Sequence, residues 1–328
     1  MPDPKIIRLP LDSYNPIVDT RLPSIANLMV RLSLGKQRGL KRIWRKTLRR
    51  IYDLLLTVPN PCRYGEIILP QGQIALDLRN TAYINHTIRK NDGGYENDVT
   101  YFFNVLAKRA NTVYDIGANW GYFTALFATR EDFKGGVHAF EISPRTFADL
   151  SKLTAACPKK ITTHPYGLSD SEGFFPLHEG RHSALSRLDP NATHGTMVKV
   201  CRLDDLDLPD PDIVKIDVEG HEAAVFNGGA KRIQRAKPII VLESWFDAKK
   251  SAAMLEPLQL LAAWGYEFYQ IAFEHTANGQ TYFTRDLEKD GKATALCLIP
   301  LPLDTRPLFA EALNVIAIHP QTATRFFS

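Results

Sequence analysis

Short apolar runs and amphipathic segments alternate along the last two thirds of the chain, which indicates strands alternating with helices. The predicted strands lie within residues 113–116, 136–144, 161–170, 212–222, 238–245 and 293–300, and the sequence LQLLAAWGYEFYQIA predicts a helix and a sixth strand before the last one. This alternation predicts an α/β fold with a doubly wound, mostly parallel sheet.

The N-terminal part of the chain has a different pattern. Residues 1–39 are interrupted by prolines, and residues 40–56 place an apolar stripe between arginines and lysines, which predicts a basic amphipathic helix. Residues 65–79 alternate between apolar and polar positions and predict a β-hairpin that turns near Gln71 and Gly72. We therefore expect an N-terminal extension over residues 1–90, with arm, helix and hairpin, and a main domain over residues 91–328.

Residues 113–128, VYDIGANWGYFTALFA, predict a buried strand, a glycine turn and a helix. Gly117 and Gly121 allow a sharp turn and a close approach of the backbone to a ligand. A second predicted strand ends in Glu141, 24 residues after Gly117. A carboxylate at the end of the second strand is placed to accept hydrogen bonds from both hydroxyls of a ribose.

The turn differs from the G-x-G-x-x-G pattern of dinucleotide-binding folds, because Asn119 and Tyr122 occupy its second and third glycine positions. No lysine or arginine lies in the turn, and Asp115 stands at its start. An acidic turn suits a cofactor with an ammonium group and a cationic centre, so the residues favour S-adenosylmethionine. As the alternative, Asp115, Gly117 and Gly121 only shape a strand-to-helix turn.

The chain resembles the FkbM family of S-adenosylmethionine-dependent methyltransferases over roughly residues 90 to 300. The resemblance rests on DIGANWGYFT (115–124), VHAFEISP (137–144), GLSDSEG (167–173), CRLDDL (201–206), IVKIDVEGHEAAVFNGG (213–229) and PIIVLES (238–244). It implies a class I methyltransferase fold, Rossmann-like, with a seven-stranded sheet whose last strand is antiparallel. It also implies O-methylation of a hydroxyl on a carbohydrate or a natural-product small molecule.

The same resemblance implies roles for particular residues. The cofactor would lie against Asp115, Gly117, Asn119 and Gly121. Glu141 would hold the ribose, and Ser169 and Asp170 would lie near the adenine.

Candidate catalytic residues follow the fourth predicted strand. Lys215, Asp217, Glu219 and His221 alternate, so they share one side if the strand continues that far. We expect Asp217 to face the cofactor methyl group, and His221 is the best base by its ordinary pKa. Glu243, at the end of the fifth strand, is a second candidate carboxylate.

These residues also allow structural interpretations. The acids of the 219–222 segment suit the start of a helix, Lys215 can pair with Asp217, and His221 and Glu243 can cap or pack. Asp217, Glu219 and His221 have the ligand types of a metal site, but the turn at Gly220 disfavours that geometry, and we predict no metal.

Residues 171–202 predict hairpins or a lid, from which Arg181, His182 and Ser183 are candidates for contact with the acceptor. Tyr95 and Glu96 are candidates to close over the cofactor or to pack in a loop.

Composition sets limits on the class of protein. The chain has 328 residues, 45% of them hydrophobic and 23% charged, as in ordinary globular proteins. Its four cysteines are scattered, no signal peptide or membrane-spanning run is evident, and we expect a cytoplasmic enzyme.

Charge is unevenly distributed along the chain, with +9 in residues 1–50 and −5 in the remainder. The basic helix at 40–56 either packs on the main domain or contacts an anionic membrane or polyanion. No nucleic-acid-binding motif is present, so we expect a small-molecule or glycan substrate, with the oligomeric state open. The alternatives to a methyltransferase are an NAD-type oxidoreductase and a non-catalytic tethering protein on a methyltransferase fold.

Overall fold

The computed structural model describes residues 5–33, 47, 50, 51, 54–56, 58, 63–79, 95–157, 160–178, 187, 188, 195–246, 251–285, 287, 293–309 and 311–327. Its strands are β1 (Ile7–Leu9), β2 (Asp19–Arg21), β3 (Tyr64–Leu69), β4 (Gly72–Asp77), β5 (Thr112–Ile116), β6 (Gly136–Phe140), β7 (Ile161–His164), β8 (Gly167–Leu168), β9 (Gly173–His178), β10 (Arg187–Leu188), β11 (Thr196–Cys201), β12 (Ile213–Ile216), β13 (Ile239–Ser244), β14 (Glu267–Ala277), β15 (Gln280–Thr284), β16 (Ala293–Pro300) and β17 (Leu313–Ile318). Its α-helices are α1 (Ser24–Ser33), α2 (Asn97–Ala107), α3 (Tyr122–Ala128), α4 (Pro144–Ala156), α5 (Glu222–Gly228), α6 (Ala230–Ala236), α7 (Ser251–Ala263) and α8 (Pro320–Phe327).

Among the described residues, the main sheet has ten strands in the order β1-β16-β14-β17-β13-β12-β5-β6-β7, with β15 paired to β14. Strands β13, β12, β5, β6 and β7 are parallel, as the alternation of strands and helices predicts. β12 is buried throughout and β5 is buried at every residue after Thr112, since helices cover both faces of a parallel sheet. The carboxyl ends of β5, β6, β12 and β13 therefore lie at one edge, where the predicted site residues follow them.

The prediction of a seven-stranded sheet is corrected by the structure, which has a mixed and larger sheet. Residues 293–300 form β16 and are not the last strand, because β17 follows and inserts antiparallel between β13 and β14. Strands β16, β1 and β15 then extend the sheet beyond β14 in antiparallel pairs. The chain turns back directly after β14 and pairs antiparallel with it, whereas the parallel strands β5, β6, β7, β12 and β13 are joined by longer crossover connections.

The N-terminal segment both joins the main sheet and forms a small one. β1 pairs with β16, and the β3–β4 hairpin turns after Leu69 at Pro70 and Gln71, as predicted. β2 pairs with β3 to complete a three-stranded sheet. Most of the predicted basic helix at 40–56 lies outside the described residues, and the division of the chain at residue 90 stays a prediction.

The segment predicted as hairpins or a lid contributes β9, β10 and β11, which form a four-stranded sheet with β8. The predicted third strand, 161–170, is divided between β7 in the main sheet and β8 in this small sheet. Arg181, His182 and Ser183 lie outside the described residues. Within the part of the chain that the structure describes, no helix has the length and apolar character needed to cross a membrane.

Side chains of the main core lie on both faces of the sheet. On one face α2 packs with Val99, Phe102, Phe103 and Leu106 buried. The same core includes Phe127 of α3 and Leu150 and Leu153 of α4. The other face is covered by helices α5, α6 and α7, whose apolar residues form a second cluster. This packing fixes the start of α2 beside the ends of β12 and β13, which matters for the site.

Candidate active site

The glycine turn after β5 is held against β6 and packs closely on the end of β12. The backbone N–H groups of Gly117 and Ala118 both donate to the carbonyl of Phe140, at 3.0 and 2.9 Å. Gly117 has φ +79°, and a Cβ at this position would lie 1.9 Å from the backbone oxygen of Asp217. Only glycine meets both demands, so the first predicted glycine is needed to bring the turn and Asp217 together.

Gly121 has a different neighbour. Its φ is +96°, and a Cβ there would lie 2.7 Å from Leu150 and 2.8 Å from Leu153. The second glycine therefore lets the start of α3 approach α4.

Glu141 ties this turn to the end of β6. Its Oε2 accepts a 2.7 Å hydrogen bond from the backbone N–H of Asn119. Its Oε1 accepts from the backbone N–H of Ser143 at 2.8 Å and from the hydroxyl of Thr146 at 2.7 Å. Burial raises the pKa of Glu141, and these three donors oppose that rise because they stabilise the carboxylate. Since a carboxylate has about four lone-pair positions, one remains for a ligand.

Asp115, at the end of β5, is buried and only half satisfied. Its Oδ2 accepts from the backbone N–H and the hydroxyl of Thr124, at 3.0 and 2.6 Å. Its Oδ1 is also buried but has no hydrogen-bond partner among the described residues. Burial raises the pKa of Asp115, whereas the nearby Lys215 ammonium lowers it. An orphaned buried acceptor beside the turn is suited to a cationic donor from a ligand.

Lys215 and Asp217 form an ion pair at the end of β12, with Nζ 3.3 Å from Oδ2. The Lys215 side chain is 8% exposed and that of Asp217 is 29% exposed, so the carboxylate is the member that solvent or substrate can reach. Lys215 is the register partner of Asp115 on β5, and its Nζ lies 5.0 Å from the ring centroid of Phe123. Burial alone would lower the pKa of Lys215, but the carboxylates of Asp217, Glu96 and Asp115 together raise it, so the lysine is charged.

Glu96 is brought to this pair from the start of α2. It occupies the N-cap position with a left-handed backbone, φ 43°. Burial raises the pKa of Glu96 to about 8; the Lys215 ammonium opposes this, while Asp217 adds to it. The sequence predicts only that Glu96 closes over the cofactor or packs in a loop, and no sequence pattern indicates its proximity to the Lys215–Asp217 pair.

Glu243, near the end of β13, also belongs to this group. Burial raises the pKa of Glu243, as does the Asp217 carboxylate. Next to Glu243 on the antiparallel strand β17 lies Asn314, whose amide donates to Asp98 of α2 at 3.1 Å. We name the five residues Asp115, Lys215, Asp217, Glu96 and Glu243 the carboxylate cluster. Residues of α2 and β17 also lie around this cluster. In the sequence, α2 shows only an acid in its first turn and β17 only an apolar run, and neither pattern indicates a position near the site.

His221 lies in a different group from Lys215 and Asp217. β12 ends at Ile216, and Glu219 and Gly220 have φ of +53° and +94°, so the alternation expected for residues 215–221 does not continue. The His221 ring nitrogen Nε2 is 2.9 Å from the hydroxyl of Ser169, which in turn donates to Asp170 at 3.2 Å. Burial lowers the pKa of His221, and Asp170 opposes this.

Glu222 accepts hydrogen bonds from backbone groups close to it in sequence. Its Oε1 accepts from the backbone N–H groups of Val218 and Gly220, at 3.3 and 3.1 Å, and so fixes the turn before α5. Within the described ranges, no three or more His, Cys, Asp or Glu side chains are arranged so that they could hold a metal ion. Asp217, Glu219 and His221 are accordingly not gathered as a ligand set.

The geometry at the strand ends suits a cationic ligand. Four carboxylic groups surround one ammonium in the carboxylate cluster, and Asp115 offers a buried acceptor that no described residue uses. S-adenosylmethionine carries an ammonium and a sulfonium cation, so these residues fit it. Glu141, two strands from Lys215 in the sheet, retains one acceptor position for a hydroxyl.

Comparison with known proteins agrees with this geometry. The profile of the Methyltransferase FkbM domain matches residues 115–268, which include the glycine turn, Glu141 and the carboxyl ends of β12 and β13. Hexuronic acid methyltransferase AglP of Haloferax volcanii is 30% identical over 171 residues, covering 50% of this chain and 70% of that protein.

Solved structures with similarity include an FkbM methyltransferase from Methylobacillus flagellatus, with 19% identity and a TM-score of 0.37. The match covers 58% of this chain and spans 44% of that protein. An S-adenosylmethionine-dependent O-methyltransferase from Thermotoga maritima matches with 10% identity and a TM-score of 0.36, covering 77% of each chain. The profile match and the relative from Haloferax volcanii place the chain in the FkbM family of methyltransferases, and its cofactor is S-adenosylmethionine.

Proposed function

We propose that this methyltransferase transfers the methyl group to a hydroxyl oxygen of a carbohydrate or a related natural product. The observation that carries the proposal is the Lys215–Asp217 pair, with the more exposed carboxylate at the end of β12 and Glu96 and Glu243 beside it. A hydroxyl acceptor must lose its proton during transfer, and this group of carboxylates can receive it.

The cofactor would be held by residues of the β5 and β6 ends. Asp115 would face the ammonium group through its unused Oδ1, and Glu141 would accept from the ribose. Gly117, Asn119 and Gly121 would form the backbone floor beneath it, and Ser169 and Asp170 would lie on the adenine side. When bound, S-adenosylmethionine supplies an electrophilic methyl group on a sulfonium centre.

Asp217 and Glu96 are the residues that we propose for proton transfer. The Lys215 ammonium holds the Asp217 carboxylate in place by an ion pair. Glu96 has a pKa of about 8, close to the pH at which a general base is most effective. Such a base contributes roughly 10²–10⁴-fold, so positioning of the acceptor in line with the methyl group is the larger contribution, with effective molarities of about 10⁵ M or more.

His221 is proposed as a further candidate base, since its ring nitrogen reaches the Ser169 hydroxyl. Its distance from the carboxylate cluster along the turn makes a role in orienting Ser169 the better supported of the two. The pH dependence of the rate separates these roles, as described in the Discussion.

The class of acceptor is inferred from the relative. That protein is named a hexuronic acid methyltransferase, and a uronic acid within a glycan is therefore the first acceptor to test.

The test uses methyl-labelled cofactor with a panel of uronic acid glycosides, neutral glycosides and small alcohols. We expect label in a carbohydrate ether, loss of at least about tenfold in kcat for Asp217→Asn, and little change in the affinity for S-adenosylhomocysteine. Glu243→Gln should reduce kcat less, and EDTA should leave activity intact. Label appearing only in an ester or an amine would overturn O-methylation of a hydroxyl.

Calorimetry with S-adenosylhomocysteine and NAD separates the enzyme from its alternatives. Binding of the former, weakened by Glu141→Ala, is the expected result. No binding of S-adenosylhomocysteine would favour a tethering protein, and binding of NAD would favour an oxidoreductase.

A further inference from the structure

A basic cavity lies between the β3–β4 hairpin, the first half of α4 and β11. Its volume is 450 Å³, within the range of cavities that hold small organic ligands. Its charged lining residues are Arg63, Arg79, Arg145, Lys152, Asp77 and Asp149. None of them belongs to the carboxylate cluster or to the residues assigned to the cofactor.

Basic side chains outnumber carboxylates among these lining residues. Arg63 and Arg79 share the single carboxylate of Asp77, each with a closest contact of 2.7 Å. Lys152 pairs with Asp149 at 2.8 Å. Four basic side chains and two carboxylates therefore give the lining a net charge of +2.

Donors remain available on the two arginines that share Asp77. Arg63 directs its Nε and Nη2 to that carboxylate, and Arg79 does the same. The Nη1 group of each donates to no acceptor among the described residues. Guanidinium groups with free N–H donors are the preferred partners of phosphate oxygens.

The hairpin side of the cavity also provides an aromatic surface. Tyr64 is 43% exposed, and both the Arg63 guanidinium and the Lys152 ammonium lie 5.7 Å from its ring centroid. A sugar ring can pack on such a surface while its phosphate meets the arginines. The volume exceeds what a bare anion needs, and a phosphate dianion matches the net charge.

We infer that this cavity binds an organic phosphate, in which the phosphate group contacts Arg63, Arg79 and Arg145 and a sugar-sized body lies against Tyr64. None of the lining residues is among those proposed for the cofactor or for proton transfer, so the cavity holds either a free sugar phosphate or a phosphorylated part of an extended acceptor. In both cases the N-terminal hairpin supplies part of a binding site, in addition to packing on α4.

The experiment is calorimetric titration of the full chain with glucose 1-phosphate, inorganic phosphate and glucose, in a buffer without phosphate or sulfate. We expect glucose 1-phosphate to bind at least about fivefold more tightly than inorganic phosphate, and glucose not to bind. Arg79→Gln and Arg145→Gln should each weaken glucose 1-phosphate binding by about tenfold or more, because each removes one charge from the phosphate site.

Arg235→Gln is the matched control, since Arg235 is exposed and pairs with Asp210 away from the cavity. It should leave the affinity for glucose 1-phosphate within about twofold of wild type. Arg79→Gln keeps Arg63 on Asp77, so the variant should fold, as checked by unchanged affinity for S-adenosylhomocysteine. That second titration also separates failure of this site from failure of the proposed methyl transfer.

The source of the phosphate is tested with labelled methyl transfer to a glycan and its phosphorylated form. A lower KM for the phosphorylated acceptor, lost in Arg79→Gln, would assign the site to the acceptor, and no difference would assign it to a free sugar phosphate. Equal affinity for inorganic phosphate and glucose 1-phosphate would overturn the inference that a sugar-sized group packs against Tyr64. No binding of any phosphate, or equal binding by both cavity variants and wild type, would overturn the site.

Discussion

The backbone N–H of Asn119 donates a 2.7 Å hydrogen bond to the carboxylate of Glu141, and so links the glycine turn of β5 to the end of β6. Asn119 has a left-handed backbone, φ 55°. Glu141 thus orders the turn before any ligand is present. Its contribution to cofactor binding and its contribution to stability are therefore coupled.

Glu141→Gln tests this coupling. The glutamine amide has one acceptor oxygen, so its NH₂ must face the N–H of either Asn119 or Ser143. We expect a loss of about 1–3 kcal/mol in the free energy of unfolding and a weaker affinity for S-adenosylhomocysteine by roughly tenfold. Urea unfolding and calorimetry measure the two effects.

Thr146→Val is the control for this prediction, since it removes only the hydroxyl that donates to Oε1. It should cost less stability than Glu141→Gln. Wild-type affinity for S-adenosylhomocysteine in Glu141→Gln would contradict a role of this carboxylate in cofactor binding.

Gly117→Ala should destabilise the protein for two reasons. An alanine at φ +79° is strained, and its Cβ would lie 1.9 Å from the Asp217 carbonyl oxygen, so the backbone of β5 or β12 must move. We expect a loss of about 2–5 kcal/mol in the free energy of unfolding. Gly279→Ala is the matched control, because Gly279 has φ +75° and nothing within 4 Å of a Cβ. Equal losses in the two variants, measured by urea unfolding, would show that the contact with Asp217 is not tight.

Local patterns predicted much of the fold. The hairpin at residues 65–79 and the strand–turn–helix of β5 and α3 each depend on neighbours in sequence, so periodicity and glycines were sufficient to predict them. The extra strands were not predicted, because β16 was taken as the last strand and the six-residue run of β17 was not recognised as the one that inserts beside β13.

The candidate site was predictable at the strand ends and not beyond them. Asp115, Lys215 and Asp217 follow from the parallel register of β5 and β12. Glu96 reaches them because α2 packs beside β17, where Asp98 contacts Asn314 across 216 positions of sequence. No local pattern encodes such a contact, and the expected alternation through His221 failed because the backbone of Glu219 and Gly220 turns away.

Lys215→Met should destabilise the protein more than an ordinary surface substitution. Lys215 is the ammonium group of the carboxylate cluster, and its removal leaves Asp217 and Asp115 without a counter-charge. We expect a loss of about 3–5 kcal/mol at pH 8. The loss should be smaller at pH 5, because carboxyl groups whose pKa is raised take up protons and no longer repel.

Two controls accompany this variant. Lys215→Arg keeps the charge and should retain more stability, whereas Lys231→Met removes an exposed lysine and should change the free energy of unfolding by less than about 0.5 kcal/mol. Urea unfolding at both pH values measures the differences. A loss independent of pH would indicate that packing of the lysine stem, and not its charge, is what Lys215 contributes.

The rate of methyl transfer should rise with pH through about 8. Glu96 must be ionised to accept a proton, and burial raises its pKa to about 8. Glu96→Gln should remove this rise and lower the maximal rate by roughly 10²-fold or more, while Glu96→Asp should retain a rise. The measurement is kcat over a range of about four pH units that includes the expected midpoint of about 8.

His221 gives a different expectation in the same experiment. Burial lowers the pKa of His221 below its ordinary value of 6.5, so a base at this position would give a rise in rate below that pH. We expect His221→Ala to leave the rise near pH 8 in place and to weaken binding of S-adenosylhomocysteine through Ser169. Loss of the rise in His221→Ala, with Glu96→Gln unaffected, would assign the base to His221.

Glu96 should also make stability depend on pH. Its pKa is about 8 in the folded protein and has an ordinary value of 4.5, so between these values the folded state holds a proton that the unfolded state has released. The contribution of Glu96 to stability is therefore fully present below pH 4.5 and is lost as the pH rises through 8, with a slope of at most about 1.4 kcal/mol per pH unit.

Glu96→Gln does not titrate, so the variant should gain stability relative to wild type as the pH is raised from 4.5 to 8. Urea unfolding across this range measures the gain, with Glu131→Gln, at an exposed position, as the control. Parallel curves for wild type and Glu96→Gln would show that the carboxyl of Glu96 ionises as freely in the folded chain as in the unfolded one, and would remove it as the base responsible for the rise near pH 8.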